Sequence, residues 1–229
     1  MMGVRHFVLE KNNIKMDLKK FIDKVKPYSM TSIERITELY NSLEYIRINN
    51  IDGDIVECGV WKGGNVIGII EYLKYHNIVD KNVWLYDTFE GMTTPEEIDV
   101  DLNNNKASSI LESVLCYSPL TEVKQNLSKS EFDNDKLKFI VGDVSETLLI
   151  ENNKPDKISL LRLDTDWYKS TKDELIQLYP KLVNDGVLII DDYGHWKGSK
   201  TATDEFFKEN NISVEIIKID YTGVKIIKK

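Results

Sequence analysis

The chain has 229 residues, 41% of them hydrophobic and 30% charged, which is enough to bury one full core and typical of a globular protein. Its net charge of −8 argues against nucleic acid as the main partner, because phosphate backbones bind basic surfaces. No apolar run approaches the roughly 18 residues of a membrane span, and the charged N-terminus lacks the apolar core of a secretion signal. Cys58 and Cys116 have no metal-binding or redox spacing, which favours free thiols. Together these features predict a single-domain cytoplasmic protein that binds neither nucleic acid nor membrane.

Residues 1–50 are predicted to be a helical addition in front of a sheet. Residues 1–15 show no clear period and are expected to form a loose arm. Residues 16–25 and 33–46 repeat apolar side chains at helical spacing, and a break at 27–32 separates them. Thr31 or Ser32 can cap the second helix. We expect that helix to pack on the sheet.

The next segment has the pattern of a strand, a glycine-rich turn and a helix. A strand that begins at Asp54 and ends in Glu57 is followed by Gly59, Gly63 and Gly64 and then by a helix to about His76. Glycines let a backbone approach a ligand closely, and a helix N-terminus offers free N–H groups. The spacing differs from the G-x-G-x-x-G pattern of dinucleotide sites. Glu57 ends a strand that should be buried, which favours a ligand-binding role over a structural one.

Four further strands are predicted with helices between them, which indicates an α/β protein with a parallel sheet. Their carboxyl ends carry Asp87, Asp143, Asp164 and Asp191. Residues 92–118 form a long polar connection, which we predict to be a lid over the site, with a plain surface loop as the alternative. Residues 214–219 and 224–227 flank a short loop that contains a glycine, and they predict a terminal antiparallel hairpin.

The strand-end acids should meet, because ligands bind at the carboxyl ends of parallel strands. A helix over 170–182 and a turn at 184–186 separate the last two parallel strands, so the aspartates that end them should share one crevice (Asp164, Asp166, Asp191 and Asp192). Carboxylates this close repel unless a cation or protons are bound. Oxygen ligands without a Cys or His cluster suit Mg²⁺ or Mn²⁺. Asp87 follows Glu57 at about the separation expected of an acid that binds a ribose hydroxyl.

Five motifs carry a resemblance to a known family. PYSMTS at 27–32, VECGVWKGG at 56–64, DTFEG at 87–91, LDTDWYKST at 163–171 and DDYG at 191–194 resemble, in that order, the macrocin O-methyltransferase (TylF) family. The resemblance implies a Rossmann-like class I methyltransferase fold with a mostly parallel seven-stranded sheet and helices on both faces. It also implies S-adenosylmethionine as the methyl donor and a Mg²⁺-dependent transfer to a hydroxyl, with sugars as the acceptors of known members.

The same resemblance implies residue roles. It implies a cofactor-binding set of Thr31, Glu57, Gly59, Gly63, Asp87, Asp143 and Val144. It implies a metal site of Asp164, Asp191 and Asp192, with Asp166 as the general base. Asp164 and Asp166 are two residues apart, so at an extended strand end they should point the same way. His195 is the rival base, because its ordinary pKa near 6.5 suits the task.

Two other readings stay open from the sequence. One is a metal-dependent methyltransferase of catechol-like phenols, which shares the sheet and the carboxylate site. The other is a non-catalytic S-adenosylmethionine-binding protein, against which the four aspartates argue. A homodimer formed through the N-terminal helices is expected. The identity of the small-molecule acceptor and the position of its hydroxyl are not encoded in these patterns.

Overall fold

The computed structural model describes residues 15–229, and in that range seven strands form one mixed sheet. The strands are β1 (Asp54–Cys58), β2 (Val83–Asp87), β3 (Leu137–Val141), β4 (Ile158–Leu163), β5 (Leu182–Ile190), β6 (Ile217–Lys218) and β7 (Val224–Ile227). The order across the sheet is β3-β2-β1-β4-β5-β7-β6. Strands β1 to β5 are parallel, whereas β7 runs antiparallel to both β5 and β6. The predicted parallel sheet with a terminal hairpin is confirmed. Residues 1–14, most of the predicted arm, lie outside the described residues.

The helices follow the predicted alternation with the strands. They are α1 (Leu18–Val25), α2 (Ile33–Ile48), α3 (Gly64–Tyr75), α4 (Ala107–Ile110), α5 (Leu120–Ser128), α6 (Val144–Thr147), α7 (Tyr168–Leu178) and α8 (Lys197–Glu209). Ser32 caps α2, and its hydroxyl accepts a hydrogen bond from the Arg35 amide at 3.1 Å. The capped first turn of α2 lies near the carboxyl ends of the strands. Arg35, in that turn, forms an ion pair with Asp191, which follows β5.

Alternating side chains of the strands divide the core into two hydrophobic clusters. Ile55 of β1 packs in the cluster that contains α1, α2, α3 and α5. Its neighbour Val56 packs in the cluster that contains α7 and α8. Both faces of the sheet are therefore covered, as a parallel sheet requires. None of the helices in the described part of the chain is both long and apolar enough to cross a membrane.

The predicted turn between α7 and the last parallel strand is wrong. Strand β5 already begins at Leu182, which pairs with Ile158, and the next pair is Val187 with Leu160. The extra residues form a bulge that contains Asp185 at a φ of 63°. The predicted strand over 214–219 is also shorter than expected, since only Ile217–Lys218 pairs at the edge of the sheet.

The insertion over 92–118 folds onto the sheet edge that carries the acids. Ala107 packs in a small cluster with Trp167 and Trp196, whose ring centroids are 5.0 Å apart. The Met92 amide donates to the Leu115 carbonyl at 2.9 Å, which draws the two ends of the insertion together. These ends contribute to the walls of the cavity described next. Movement of the insertion as a lid stays a prediction.

Candidate functional site

A cavity of about 630 Å³ lies at the carboxyl ends of the parallel strands. Its walls come from the loops after β1, β2, β4 and β5, from the start of α2 and from the ends of the 92–118 insertion. The structure brings most of the sequence-predicted site residues to this cavity: Thr31, Gly59, Asp87, Asp143, Val144, Asp164, Asp166, Asp191, Asp192 and His195. Glu57 and Gly63 are not among its lining residues.

The glycines of the first loop serve different purposes. Gly59 has a φ of 81°, and a Cβ built on it would lie 1.9 Å from the Asp164 carbonyl oxygen. Only glycine therefore allows the loops after β1 and β4 to approach this closely. Gly63, with a φ of 85°, precedes α3 and faces Leu127 of α5. It shapes the turn behind the cavity wall.

Asp87 holds that turn in place. One carboxylate oxygen accepts from the Val60 and Trp61 amides at 2.6 and 2.9 Å, and the other accepts from the Phe89 amide at 2.7 Å. Three backbone donors thus fix the carboxylate at the end of β2. Asp143 stabilises the loop after β3 in a similar way, because its carboxylate accepts a hydrogen bond from the Ser145 amide at 2.8 Å and caps α6.

Arg162 is a central side chain of the site that the sequence patterns did not predict. It lies near the carboxyl end of β4, is 1% exposed, and donates to Glu57 at 2.8 Å and to Asp164 at 2.7 Å. Its other terminal nitrogen donates to Asp191 and, at 3.2 Å, to the Thr31 hydroxyl. A buried charge needs such partners. The sequence contains a sign of this role, since a charged arginine interrupts the mostly apolar strand sequence ISLLRL just before Asp164.

Glu57 lies behind this arginine and is 1% exposed. One carboxylate oxygen accepts from Arg162 and, at 3.0 Å, from Asn65, while the other has no hydrogen-bond partner among the described residues. Burial raises the pKa of Glu57 to about 7, although the neighbouring guanidinium opposes the shift. Asn65 lines the cavity, and its side-chain oxygen likewise has no partner in the described part of the chain. Glu57 therefore orients Asn65, a cavity-lining residue whose buried side-chain oxygen is left without a hydrogen-bond partner among the described residues.

Asp191 is held by two arginines. One carboxylate oxygen pairs with Arg162 and the other pairs with Arg35. Arg35 also donates to Asp220 at 2.9 Å, in the turn between β6 and β7. The terminal hairpin, α2 and β5 are thus joined at this carboxylate. The sequence-based expectation was a carboxylate directed at a metal, and the observed partners of Asp191 are guanidinium groups.

Three other aspartates converge at the cavity. Asp164, Asp166 and Asp192 each present a carboxylate oxygen, and these oxygens all lie within 4.8 Å of one another. Asp164 and Asp166 were expected to point the same way because they would lie in an extended strand end. That reason is wrong, because β4 ends at Leu163 and Asp166 adopts a φ of 67°. A tight turn brings the two together instead of an extended strand end.

Ionising all the carboxyl groups of this cluster at once costs free energy, because they are at least partly buried and close together. Burial raises the pKa of Asp166 to about 7, and repulsion from Asp164 adds to the shift. Burial and the adjacent Asp166 also raise the pKa of Asp192 well above its ordinary value. One oxygen of Asp192 is buried and has no hydrogen-bond partner in residues 15–229. Converging hard oxygen donors with a free buried oxygen are the set that fits Mg²⁺ or Mn²⁺.

His195 stands beside the acid cluster. Its amide donates to the Asp192 carbonyl at 3.0 Å, and its ring packs edge-on against Trp196 with the centroids 4.8 Å apart. The Tyr221 ring lies 6.2 Å away on the hairpin turn. The imidazole is therefore a cavity-lining group next to the carboxylates.

Comparison with known proteins gives consistent matches. The model of the macrocin-O-methyltransferase (TylF) family matches residues 11–228. The chain is 34% identical over 197 residues to a demethyldecarbamoylnovobiocin O-methyltransferase from Streptomyces niveus, covering 86% of this chain and 74% of the relative. It is 30% identical over 201 residues to an 8-demethyl-8-(2,3-dimethoxy-alpha-L-rhamnosyl)-tetracenomycin-C 4'-O-methyltransferase from Streptomyces olivaceus, again covering 86% and 74%. The solved structure of the O-methyltransferase NovP superposes with a TM-score of 0.77 at 27% identity, over 98% of this chain and 99% of that one.

Proposed function

Since the chain belongs to the macrocin O-methyltransferase (TylF) family, we propose that it methylates a hydroxyl of a sugar or of a sugar-linked metabolite. It is an S-adenosylmethionine-dependent O-methyltransferase, as the family and the relatives are. The observation that supports a cation-assisted transfer is the convergence of Asp164, Asp166 and Asp192 in the same cavity as the glycine turn after β1.

The cofactor is assigned to the part of the cavity between β1, β2 and β3. Gly59 allows close approach there, and Asn65 offers an unpartnered oxygen suited to an ammonium group. Asp87 would accept from the ribose hydroxyls, and Asp143 with Val144 would border the adenine. Thr31, buried at the start of α2, would close this region from above. Glu57 and Gly63 contribute indirectly, through Asn65 and through the turn.

A divalent cation is assigned to the acid cluster, with Asp164 and Asp192 as ligands. Bound there, Mg²⁺ would lower the pKa of an acceptor hydroxyl and orient it. The sequence-derived ligand set also includes Asp191, whose carboxylate is paired with Arg162 and Arg35. In our proposal Asp191 stabilises the loop that carries Asp192.

Asp166 is assigned as the proton acceptor. The acceptor oxygen would attack the sulfonium methyl group, the carbon–sulfur bond would break to leave S-adenosylhomocysteine, and the hydroxyl proton would pass to Asp166. Asp166 presents a carboxylate oxygen within 4.8 Å of those of Asp164 and Asp192, so it lies beside an acceptor hydroxyl held at the cation site and can take up its proton. His195 lines the same cavity and is the second candidate.

The charges of the cavity favour a neutral acceptor over a nucleotide-linked sugar. Six aspartates line it, whereas Arg35 is the one lysine or arginine among its described lining residues and is already paired with Asp191 and Asp220. A diphosphate would find no unpaired cation of the protein there. The relative from Streptomyces olivaceus is named as a 4'-O-methyltransferase of a rhamnosyl-bearing tetracenomycin. Tyr221, 64% exposed at the cavity, offers a surface on which such a sugar or its apolar neighbour could stack.

The test is formation of S-adenosylhomocysteine by the purified protein with a neutral glycoside panel, a nucleoside-diphosphate sugar panel and a catechol. We expect turnover with glycosides that is lost on chelation with EDTA and restored by Mg²⁺. Asp192→Asn should abolish the Mg²⁺ response, while Asp52→Asn, on the exposed loop before β1, serves as the matched control. Turnover of the catechol alone would refute the sugar assignment, and metal-independent turnover would refute the cation.

A cytoplasmic location and a homodimer formed through the N-terminal helices stay predictions. Size-exclusion chromatography with light scattering would test the dimer directly.

A further inference from the structure

Thr165 separates two members of the acid cluster and is fixed on several sides. Its carbonyl accepts from the Trp167 amide at 2.8 Å and from the Ser170 hydroxyl at 3.2 Å. Its own hydroxyl donates to a carboxylate oxygen of Glu174 at 2.9 Å. Thus the residue between Asp164 and Asp166 is tied to helix α7 through both its main chain and its side chain.

The turn that Thr165 anchors is strained. Asp166 adopts a φ of 67°, a conformation that residues other than glycine rarely occupy. On the other side, the Asp164 amide donates to the Cys58 carbonyl at 2.9 Å, and its backbone lies next to Gly59, where a side chain would collide with it. Such strain persists only when the surroundings over-determine the backbone. The convergence of the Asp164 and Asp166 oxygens therefore depends on the contacts that hold this turn.

Glu174 is an unexpected group for the interior of α7. It is 0% exposed, and the other buried positions nearby on this helix include Leu175 and Leu178. One of its oxygens accepts from Thr165, while the other makes no well-formed hydrogen bond among the described residues and has the Cys58 thiol, a weak donor, as its polar neighbour. A buried carboxyl that is only half satisfied costs free energy compared with an apolar side chain of similar size. Fold stability alone thus favours leucine at this position, and another role is needed to explain the acid.

We propose that Glu174 is a positioning residue that, by accepting the Thr165 hydroxyl, holds the turn in which Asp164 and Asp166 converge on the cation site. The inference rests on the proposed function, because it assigns Glu174 to the geometry of that site. Groups that orient metal ligands from behind commonly change cation affinity by about 10- to 100-fold when replaced. Glu174 does not line the cavity, so it acts through the turn and does not contact the acceptor.

The experiment measures Mg²⁺ and S-adenosylmethionine affinity by calorimetry together with the thermal midpoint of unfolding. Glu174→Leu and Thr165→Val should each weaken Mg²⁺ binding by about 10-fold or more, at the lower end of that range. S-adenosylmethionine affinity should stay unchanged, and the midpoint of Glu174→Leu should be equal to or above that of the wild type. The double variant should bind Mg²⁺ no more weakly than either single variant, because both remove the same hydrogen bond. Glu174→Gln keeps an acceptor oxygen and should retain most of the affinity.

Thr203→Val is the matched control, since Thr203 is a buried threonine whose hydroxyl donates within α8 to the Ser199 carbonyl at 2.8 Å. It should leave the Mg²⁺ affinity unchanged. Wild-type affinity in Glu174→Leu and Thr165→Val overturns the inference while leaving the proposed function intact. A loss of Mg²⁺ affinity that merely follows the loss of thermal stability, in Thr203→Val as well, also overturns it. Failure of the wild type to bind Mg²⁺ or Mn²⁺ refutes the cation site itself, and the positioning role falls with it.

Discussion

The Arg162 guanidinium donates to the Glu57 carboxylate at 2.8 Å, across two neighbouring strands at the centre of the sheet. Both side chains are 1% exposed. The same guanidinium reaches Asp164 and Asp191, so a single buried cation links β1, β4 and β5 just below the cavity. The positive charge of Arg162 therefore lies directly beneath the acidic cavity and offsets part of the repulsion among its carboxylates.

Removal of that charge should be strongly destabilising. Arg162→Leu leaves Glu57 buried without its charged partner and leaves Asp191 with Arg35 alone, and loss of one member of a buried ion pair costs about 3–5 kcal/mol. Urea denaturation should show a fall of that size in the free energy of unfolding. Lys157→Met, which breaks an exposed pair with Asp52, is the control and should leave the free energy of unfolding close to that of the wild type. Equal effects of the two variants would contradict the assigned role of Arg162.

The two adjacent aspartates after β5 should behave differently. Asp192→Asn is expected to weaken Mg²⁺ binding by about 100-fold or more, beyond the effect of residues that only orient a ligand. Asp191→Asn should mainly lower thermal stability, because Arg162 and Arg35 lose their shared partner. Calorimetric titration with Mg²⁺ separates the two cases. A loss in Asp191→Asn as large as that in Asp192→Asn would restore the ligand set expected from the sequence.

Replacement of the proton acceptor should lower turnover without preventing cofactor binding. Asp166→Asn should reduce kcat by about 10²-fold or more at saturating Mg²⁺, which is the usual scale for loss of a general base. S-adenosylmethionine affinity should survive, because Asp166 lies on the acceptor side of the cavity. His195→Ala is the companion variant, measured under the same conditions. If only His195→Ala loses this activity, the base has been assigned to the wrong residue.

Asp87 should matter for the cofactor and not for the cation. Asp87→Ala removes an acceptor from the Val60, Trp61 and Phe89 amides and should loosen the glycine turn. Charge-assisted bonds of this kind are each worth roughly 1.5–3 kcal/mol, so a loss of at least about 10-fold in S-adenosylmethionine affinity is expected. Mg²⁺ affinity serves as the internal control. Cofactor affinity equal to that of the wild type would remove Asp87 from the binding site.

Acid sensitivity of the fold should begin at His76, away from the cavity. Its imidazole is 4% exposed, and burial together with the nearby Arg47 lowers its pKa below the ordinary value of 6.5. The folded protein therefore binds fewer protons there than the unfolded chain. The stabilisation is complete above pH 6.5 and is lost as the pH falls through the folded pKa. Urea denaturation between pH 7.5 and pH 5 should show this contribution as a difference between the wild type and His76→Phe, because Glu57 and Asp166, whose pKa values burial raises to about 7, take up protons in the folded state and oppose the decline in both proteins. Identical pH profiles of the two proteins would exclude His76 as a source of acid sensitivity.

Much of the fold follows from local patterns. The alternation of apolar strands with helices, the cap at Ser32 and the hairpin at the end predict the sheet that the structure has. The first four strands were predicted to end at Glu57, Asp87, Asp143 and Asp164, and they end close by, at Cys58, Asp87, Val141 and Leu163, because hydrophobic runs stop where the chain leaves the core. The bulge near Asp185 was missed, since a bulge depends on pairing with a distant strand.

The sequence by itself determined which residues arrive at the cavity, because residues at the ends of parallel strands must share one edge of a sheet. Only the tertiary structure decided their partners there. Asp191 faces two arginines, whereas Asp192 keeps a free oxygen, although the two are adjacent in the chain. The reason is physical: Arg35, Arg162 and Asp191 come from three different elements, and sheet order together with a turn at positive φ sets their distances. Spacing along one chain does not encode those distances.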